Sequence, residues 1–294
     1  MNKLILNWIK KLIKNPRVFA PILAFLILLG PTIYIYSGSP PETEVEIYKG
    51  AWFSNVLPSA FAEMKDMGMN TVFFQGSPGG LTVALIQTAH RNGLKVALTF
   101  GIVELQPKKS TDLDLEDLNS QIVELAKQAE KYGVEFFAPL NEADTVFEED
   151  TGRWAQEILP RIKEVYHGEV IWKGADILDI DLSGYDYIGF TISPSRESTL
   201  EEYSQFVDGM LDRALGFAER DNLKGVMFTE IATFWWMRME KIKPGYSEEE
   251  VIRAHEIILE RGKDKAVGFF YFDEVPGVFG NWEKEISRWY KEMP

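Results

Sequence analysis

The sequence predicts an α/β protein: a single (β/α)8 TIM barrel over residues 47–294, with a degenerate fifth βα unit and one N-terminal transmembrane helix ahead of it. Three observations lead there. From Glu46 onward, short β-branched or aromatic runs alternate with amphipathic stretches, the order that builds a parallel sheet with helices outside. Eight strand-like runs occur, the number that closes such a barrel within roughly 250 residues. The residues before them follow neither pattern and need their own account.

Residues 1–17 form a basic segment, with Lys3, Lys10, Lys11, Lys14 and Arg17 and no acid. Residues 18–36 then run 19 positions without a charge, close to the ~20 apolar residues that span the hydrocarbon core of a bilayer. Glu42, Glu44 and Glu46 follow, so the positive-inside rule keeps the N-terminus cytoplasmic and carries the rest across. Tyr34 and Tyr36 fall where an interfacial aromatic belt would lie. The expected partner of this segment is the lipid bilayer, with the barrel on the extracytoplasmic side of the cell membrane. A cleaved signal peptide, with Ser37-Gly38-Ser39 as its small residues, is the alternative and would make the protein secreted. A buried core helix fits the one-sided charge poorly. Residues 37–46, with a proline pair and acids, read as an exposed linker.

The expected strands are 47–54, 71–76, 95–100, 134–140, 169–173, 187–191, 224–229 and 266–272. Helices over 81–92 and 115–132 stop at Gly93 and Gly133 in the manner of glycine C-caps. Thr199 with Glu202, and Ser247 with Glu250, have capping-box spacing at two further helix starts. Glu148-Glu149-Asp150 and Glu248-Glu249-Glu250 read as acidic first turns. The gap 175–186 is too short and broken for a full helix, hence the degenerate fifth unit. A doubly wound open sheet would call for a Gly-rich loop after the first strand. The run from Gln75 to Gly80 follows the second strand instead and lacks the lysine of GxxxxGK[ST], so it reads as a tight βα turn.

Charge and composition exclude several chemistries. The chain carries −14 overall; removing the five bases of residues 1–17 from its 31 leaves 26 against 45 acids, or −19. Such a field repels nucleic acid and disfavours polyanionic substrates, so a neutral substrate is expected. Without cysteine there is no disulfide, thiolate metal site or cysteine nucleophile. His90, His167 and His255 fall in helices or at a helix end, away from the strand ends where a barrel metallohydrolase keeps its imidazoles. No metal or cofactor is therefore expected. No GxSxG elbow marks a serine hydrolase. Lys173 is of the type that forms Schiff bases in lyase barrels, but it is expected to face outward or toward the barrel bottom.

Barrel enzymes build their sites where the strands end. Strand 2 ends in Gln75, strand 3 approaches Glu104, strand 4 ends in Asn141-Glu142, strand 7 in Glu230 and strand 8 in Phe272-Asp273-Glu274. By alternation, Phe136, Ala138, Leu140 and Glu142 share one face of strand 4, and Val226, Phe228 and Glu230 one face of strand 7. If those faces point inward, Glu142 and Glu230 project into one cleft. A carboxyl pair about 5–5.5 Å apart performs retaining glycoside hydrolysis, one as acid/base and one as nucleophile. Alone, either acid could equally be a helix N-terminal residue favoured by the dipole.

Asn-Glu closing strand 4 with a second Glu closing strand 7 resembles clan A of the retaining glycoside hydrolases. That clan holds the β-mannanases and β-glucanases of families 5 and 113 and the galactanases of family 53. The resemblance covers residues 47–294. It implies Glu142 as acid/base, Glu230 as nucleophile and Asn141 as the group that binds the sugar 2-hydroxyl. The clan's Arg near the end of strand 2, His near the end of strand 3, Tyr after strand 6 and Trp closing strand 8 are absent. Phe74-Gln75, Phe100-Gly101, Thr191-Ile192-Ser193 and Phe272-Asp273 stand there, so the resemblance implies a divergent member.

Sugar rings pack their C–H faces on aromatic rings. Trp52 closing strand 1, Trp172 in strand 5 and Trp235-Trp236 after Glu230 are candidate platforms, with Trp282 beyond strand 8. With Gln75, Asn141, Phe272 and Asp273 they complete the expected contacts of a carbohydrate substrate. The function expected is a retaining glycoside hydrolase acting on a neutral β-mannan or β-glucan. A non-catalytic, membrane-anchored glycan-binding barrel is the alternative, and a scaffold subunit of a membrane complex a third.

Overall fold

The computed structural model describes residues 46–101, 113–194, 199–232, 247–273 and 283–293. The hydrophobic segment 18–36 lies outside them. Among the described residues no helix is long and apolar enough to cross a membrane.

Eight parallel strands close on themselves in sequence order. In chain order the elements are β1 (Tyr48–Phe53), α1 (Ala60–Asp66), β2 (Thr71–Gly76), α2 (Gly80–Arg91), β3 (Lys95–Phe100), α3 (Leu115–Lys131) and β4 (Phe136–Ala138). They continue with α4 (Ala143–Phe147), α5 (Thr151–Lys163), β5 (Glu169–Gly174), β6 (Tyr187–Ile192), α6 (Leu200–Arg220), β7 (Gly225–Ile231), α7 (Glu248–Gly262), β8 (Gly268–Asp273) and α8 (Glu283–Glu292). The barrel is the TIM fold that the alternation of the sequence predicts. No helix separates β5 from β6, the degenerate unit expected there.

Local signals act as their chemistry requires. Both capping boxes form, Thr199 with Glu202 at α6 and Ser247 with Glu250 at α7. Gly93 and Gly133 take positive φ of 70° and 69°, which reverses the chain after α2 and α3. Glu148–Asp150 forms a 3-10 turn leading into α5.

Two apolar layers follow from strand alternation. Outward side chains such as Val72, Leu98, Phe137, Val170, Phe190 and Phe228 pack under the helices. Inward ones fill the barrel: Trp52, Phe73, Ala97, Phe136, Ala138, Ile171, Tyr187, Met227 and Phe270. Tyr48, Phe136 and Tyr187 meet edge to face at its lower end, and Phe73 meets Phe270 above them. The interior is therefore a plug with no continuous channel, and function is confined to its upper rim.

One departure positions the site. In β7, Phe190 pairs with Phe228, but the next residue of β6, Thr191, pairs with Glu230. The extra residue is a β-bulge at Thr229. Below it, Val226 and Phe228 face the helices. The inward set expected for this strand is thus reversed: Met227 points into the barrel, and Glu230 joins it because the bulge flips the alternation. β4 is corrected similarly. It ends at Ala138, whose side chain faces inward, and Leu140 turns out to the helix layer.

Gly189 in β6 makes room for the bulge. A Cβ there would lie 2.3 Å from Thr229 Cγ2 and 3.2 Å from the Trp172 carbonyl oxygen. Gly189→Ala is expected to destabilise the fold by about 1–3 kcal/mol through overpacking. Gly209→Ala on α6, where a Cβ meets nothing within 4 Å, should instead stabilise it by up to ~1 kcal/mol. Urea unfolding of both variants checks the contrast; equal midpoints would show that β6 and β7 have room to separate.

Candidate active site

After β4 the chain runs through Pro139 and Leu140 to Asn141, whose N–H donates to the Phe100 carbonyl at 3.1 Å. Glu142 then adopts the left-handed conformation, φ 50° and ψ 51°. A non-glycine residue held there costs on the order of 1 kcal/mol or more, and such residues cluster at functional sites. Glu142 precedes α4 but makes no side-chain capping bond. Its carbonyl accepts from the Thr145 N–H and hydroxyl, at 3.0 and 2.8 Å. Its carboxylate turns instead to β6, where Thr191 Oγ1 donates to Oε1 at 2.6 Å. The helix-cap role that would otherwise account for an acid here is not taken.

Glu230 enters from the bulge of β7. Lys173, the last inward residue of β5, donates from Nζ to Glu230 Oε2 at 3.0 Å. The lysine is wholly buried, and the glutamate side chain is 12% exposed. Lys173 therefore faces the upper interior, against the expectation of an outward or bottom-facing place. Its ammonium also lies 4.9 Å from the centre of the Trp52 ring. Burial pushes the Glu230 carboxyl above the ordinary glutamate range. The Lys173 charge opposes that rise, Glu142 adds to it by repulsion, and hydrogen bonds from Lys173 and Thr191 lower it again.

Thr191 thus meets both acids: its hydroxyl bonds to Glu142, and it is the ladder partner of Glu230 across β6 and β7.

Asp144 fixes the neighbouring wall. Its two carboxylate oxygens accept the N–H groups of Ala175 and Asp176, at 2.8 and 3.0 Å, which ties α4 to the connection after β5. Burial raises its pKa, those two backbone bonds oppose the rise, and Glu142 reinforces it.

The other expected contacts separate into groups. Trp52 faces inward, 3% exposed, with its ring 5.2 Å from that of Phe272. Gln75 lies across Gly101, where a Cβ would come within 2.4 Å of its amide carbon. Asp273 closes β8. Trp172 is corrected: its inward neighbours in β5 are Ile171 and Lys173, while its own ring packs on Tyr185 in the outer layer, away from the mouth. Glu104, Trp235, Trp236, Glu274 and Trp282 lie outside the described residues. Among the buried polar atoms that find no hydrogen-bond partner are Trp52 Nε1, Asn141 Oδ1 and Thr229 Oγ1. Asn141 follows β4 and Thr229 lies in β7, the strands that lead to the two glutamates, while Trp52 is on β1; an unmet buried group of this kind costs ~1–3 kcal/mol.

Lys173, Thr191, Thr229 and Asp144 were not singled out as site residues by the sequence. Lys173 and Thr191 each stand two residues beyond an inward apolar residue, Ile171 and an interior glycine, Gly189; that period was legible, but which face it lined was not.

Among the described residues no group of three or more acidic or imidazole side chains is arranged to hold a metal ion. No protein-family model matches the chain, and no curated relative does. Solved structures do match in fold. A family GH113 β-mannanase from Alicyclobacillus acidocaldarius, in complex with ManMIm, is 17% identical with a TM-score of 0.60, over 85% of this chain and 99% of its own. Cel5A of Thermotoga maritima, in complex with mannotriose, is 12% identical with a TM-score of 0.64, over 86% and 100%. The cellulose synthase subunit Z of Clostridioides difficile is 13% identical with a TM-score of 0.62, over 83% and 99%. The chain shares the barrel fold of these structures.

The burial of Glu230 has a consequence for stability. Its folded-state pKa lies above the ordinary 4.5, so the folded chain holds this proton more tightly than the unfolded chain. That contribution is full below about pH 4.5 and is lost as the pH rises through the higher folded value, at about 1.4 kcal/mol per unit of elevation. The stability of the native protein relative to Glu230→Gln should therefore fall between about pH 4 and pH 8. Denaturant midpoints of the two proteins at both pH values measure it, and a difference that grows with pH would reverse the sign.

Proposed function

We propose that the barrel is a retaining glycoside hydrolase acting on a neutral β-linked oligo- or polysaccharide of the β-mannan or β-glucan type. The observation that carries this reading is the meeting of Glu142 and Glu230 at Thr191, which donates to Glu142 and pairs with Glu230 across the β6–β7 ladder. Two carboxyls brought together at a barrel mouth suit double displacement, which works with the pair about 5–5.5 Å apart.

In this mechanism Glu142 donates its proton to the glycosidic oxygen as the bond to the anomeric carbon breaks. The Glu230 carboxylate attacks that carbon and forms a glycosyl ester. Glu142, now ionised, takes a proton from water, whose oxygen displaces Glu230 and restores both groups. Asn141 and Trp52, with polar atoms unmet by protein, would take sugar hydroxyls. The barrel fold shared with a mannanase and with a mannotriose complex supports the substrate class. The acidic chain suits an uncharged glycan. Residues 18–36 would hold the barrel at the outer face of the cell membrane, within reach of such polymers.

Reducing-sugar release from β-mannan and β-glucan is the direct assay. Glu142→Gln should lose about 10²–10⁴-fold in rate, the usual worth of a positioned general acid, and Glu230→Ala at least as much. A 2-fluoro glycoside should leave a covalent adduct on Glu230, found by mass spectrometry of the peptide. Saturable binding without adduct or turnover would favour the glycan-binding alternative, which the missing arginine, histidine and tyrosine of the clan pattern motivate.

A further inference from the structure

We propose that Lys173 is the positioning residue of this site, an ammonium built into the barrel floor to hold Glu230 ionised and aimed at the substrate. The inference rests on the glycosidase reading and assigns the task that a strand-2 arginine and a strand-6 tyrosine would perform to one lysine on β5.

A wholly buried lysine needs a reason. Taking an ammonium out of water costs several kcal/mol, and apolar replacements of buried ion pairs are often neutral or stabilising. Lys173 is fully buried, sits over the face of Trp52 and gives a hydrogen bond to Glu230. Its neighbours provide the space. Gly189, its partner across β6, has no side chain, and Ile171 lies below it on the same face. Among the described residues, the anionic partner of the ammonium is Glu230 and the cationic partner of Glu230 is Lys173.

The charges around Glu230 are few. Among the described residues, β5 presents Lys173 and the segment after β4 presents Glu142. β6 presents the neutral Thr191, while β1 and β8 bring Trp52 and Phe272 to the same level of the barrel. Glu142 and burial both favour a protonated Glu230, which cannot attack a sugar. Among the described residues, Lys173 is the positive charge acting against them. Its amine is tied to a carboxylate beneath the rim, so it serves as a charge and a direction and not as a nucleophile.

The test replaces Lys173 and reads the charge of Glu230 without relying on turnover. In chain carrying carbon-13 glutamate carboxyls, the Glu230 resonance is assigned by its loss in Glu230→Gln and titrated in the native protein and in Lys173→Met. An opposite charge at this distance lowers a carboxyl by about 1–3 units, so the midpoint should rise by that much in Lys173→Met. The acidic limb of the kcat/KM profile should move up with it. A purely structural lysine would lower activity equally at all pH values and leave both midpoints in place.

The absence of cysteine gives a second arm that does not depend on one variant folding. Lys173→Cys, alkylated while unfolded with bromoethylamine and refolded, regains an ammonium at nearly the lysine position and should regain the native midpoint. An unmoved Glu230 midpoint in folded Lys173→Met, or no recovery on aminoethylation, overturns the proposal. A midpoint that shifts in a protein that cleaves no β-glycoside would support the role of Lys173 and count against the glycosidase reading.

Discussion

In a closed parallel barrel every second residue of a strand is committed either to the interior or to the helix layer, and a single strand cannot change its mind without a defect. β7 supplies that defect. Val226 and Phe228 pack beneath the helices, and unbroken alternation would send Glu230 after them into an apolar layer. The bulge at Thr229 inserts one residue, reverses the facing and delivers the carboxylate to the mouth. The cost is local: an interrupted ladder, a glycine at 189 to accept Thr229, and a threonine hydroxyl with no protein partner. Lys173, Thr191 and the pairing with Glu142 have meaning only because that one side chain is turned inward.

The interior beneath the mouth explains why so few charges suffice. Aromatic rings from β1, β2, β4, β6 and β8 fill the barrel to the level of Ile171 and Met227. Charges standing on such a floor are screened less than surface pairs, so one lysine can influence one glutamate strongly. The ion pairs on the outside, such as Arg161 with Glu116 or Arg253 with Glu260, are exposed and contribute ~0–1 kcal/mol each. Electrostatics is thus concentrated at the end of the barrel that stability needs least.

Much of this was legible in the sequence, and the rest failed for identifiable reasons. β2 and β3 have the predicted limits, 71–76 and 95–100, because turn signals and helix C-caps bound them closely. The two capping boxes form because their chemistry is local. Which face of a strand looks inward is not local. Alternation gave the right partners for Trp172 and Lys173 but no sign, and an indole was read toward the mouth while an ammonium was read away from it. Hydrophobicity argues for that reading, and the demands of a charged site override it. The bulge is likewise silent in the run from Val226 to Glu230, which looks like any buried strand.

The two glutamates reach Thr191 by unrelated means, and this is an argument that the arrangement is held and not incidental. Glu142 arrives through a left-handed backbone that a glutamate does not prefer, with the capping role open to it left unused. Glu230 arrives through a bulge that disrupts a barrel ladder, and it rests against a lysine that has given up all hydration. Three independent penalties, in φ, in strand pairing and in desolvation, converge on one end of the barrel. Packing alone would relax each of them separately: a glycine at 142, a regular β7, an aliphatic residue at 173. The chain keeps all three together at the end of the barrel where Glu142 bonds to Thr191, Glu230 pairs with it and Lys173 bonds to Glu230.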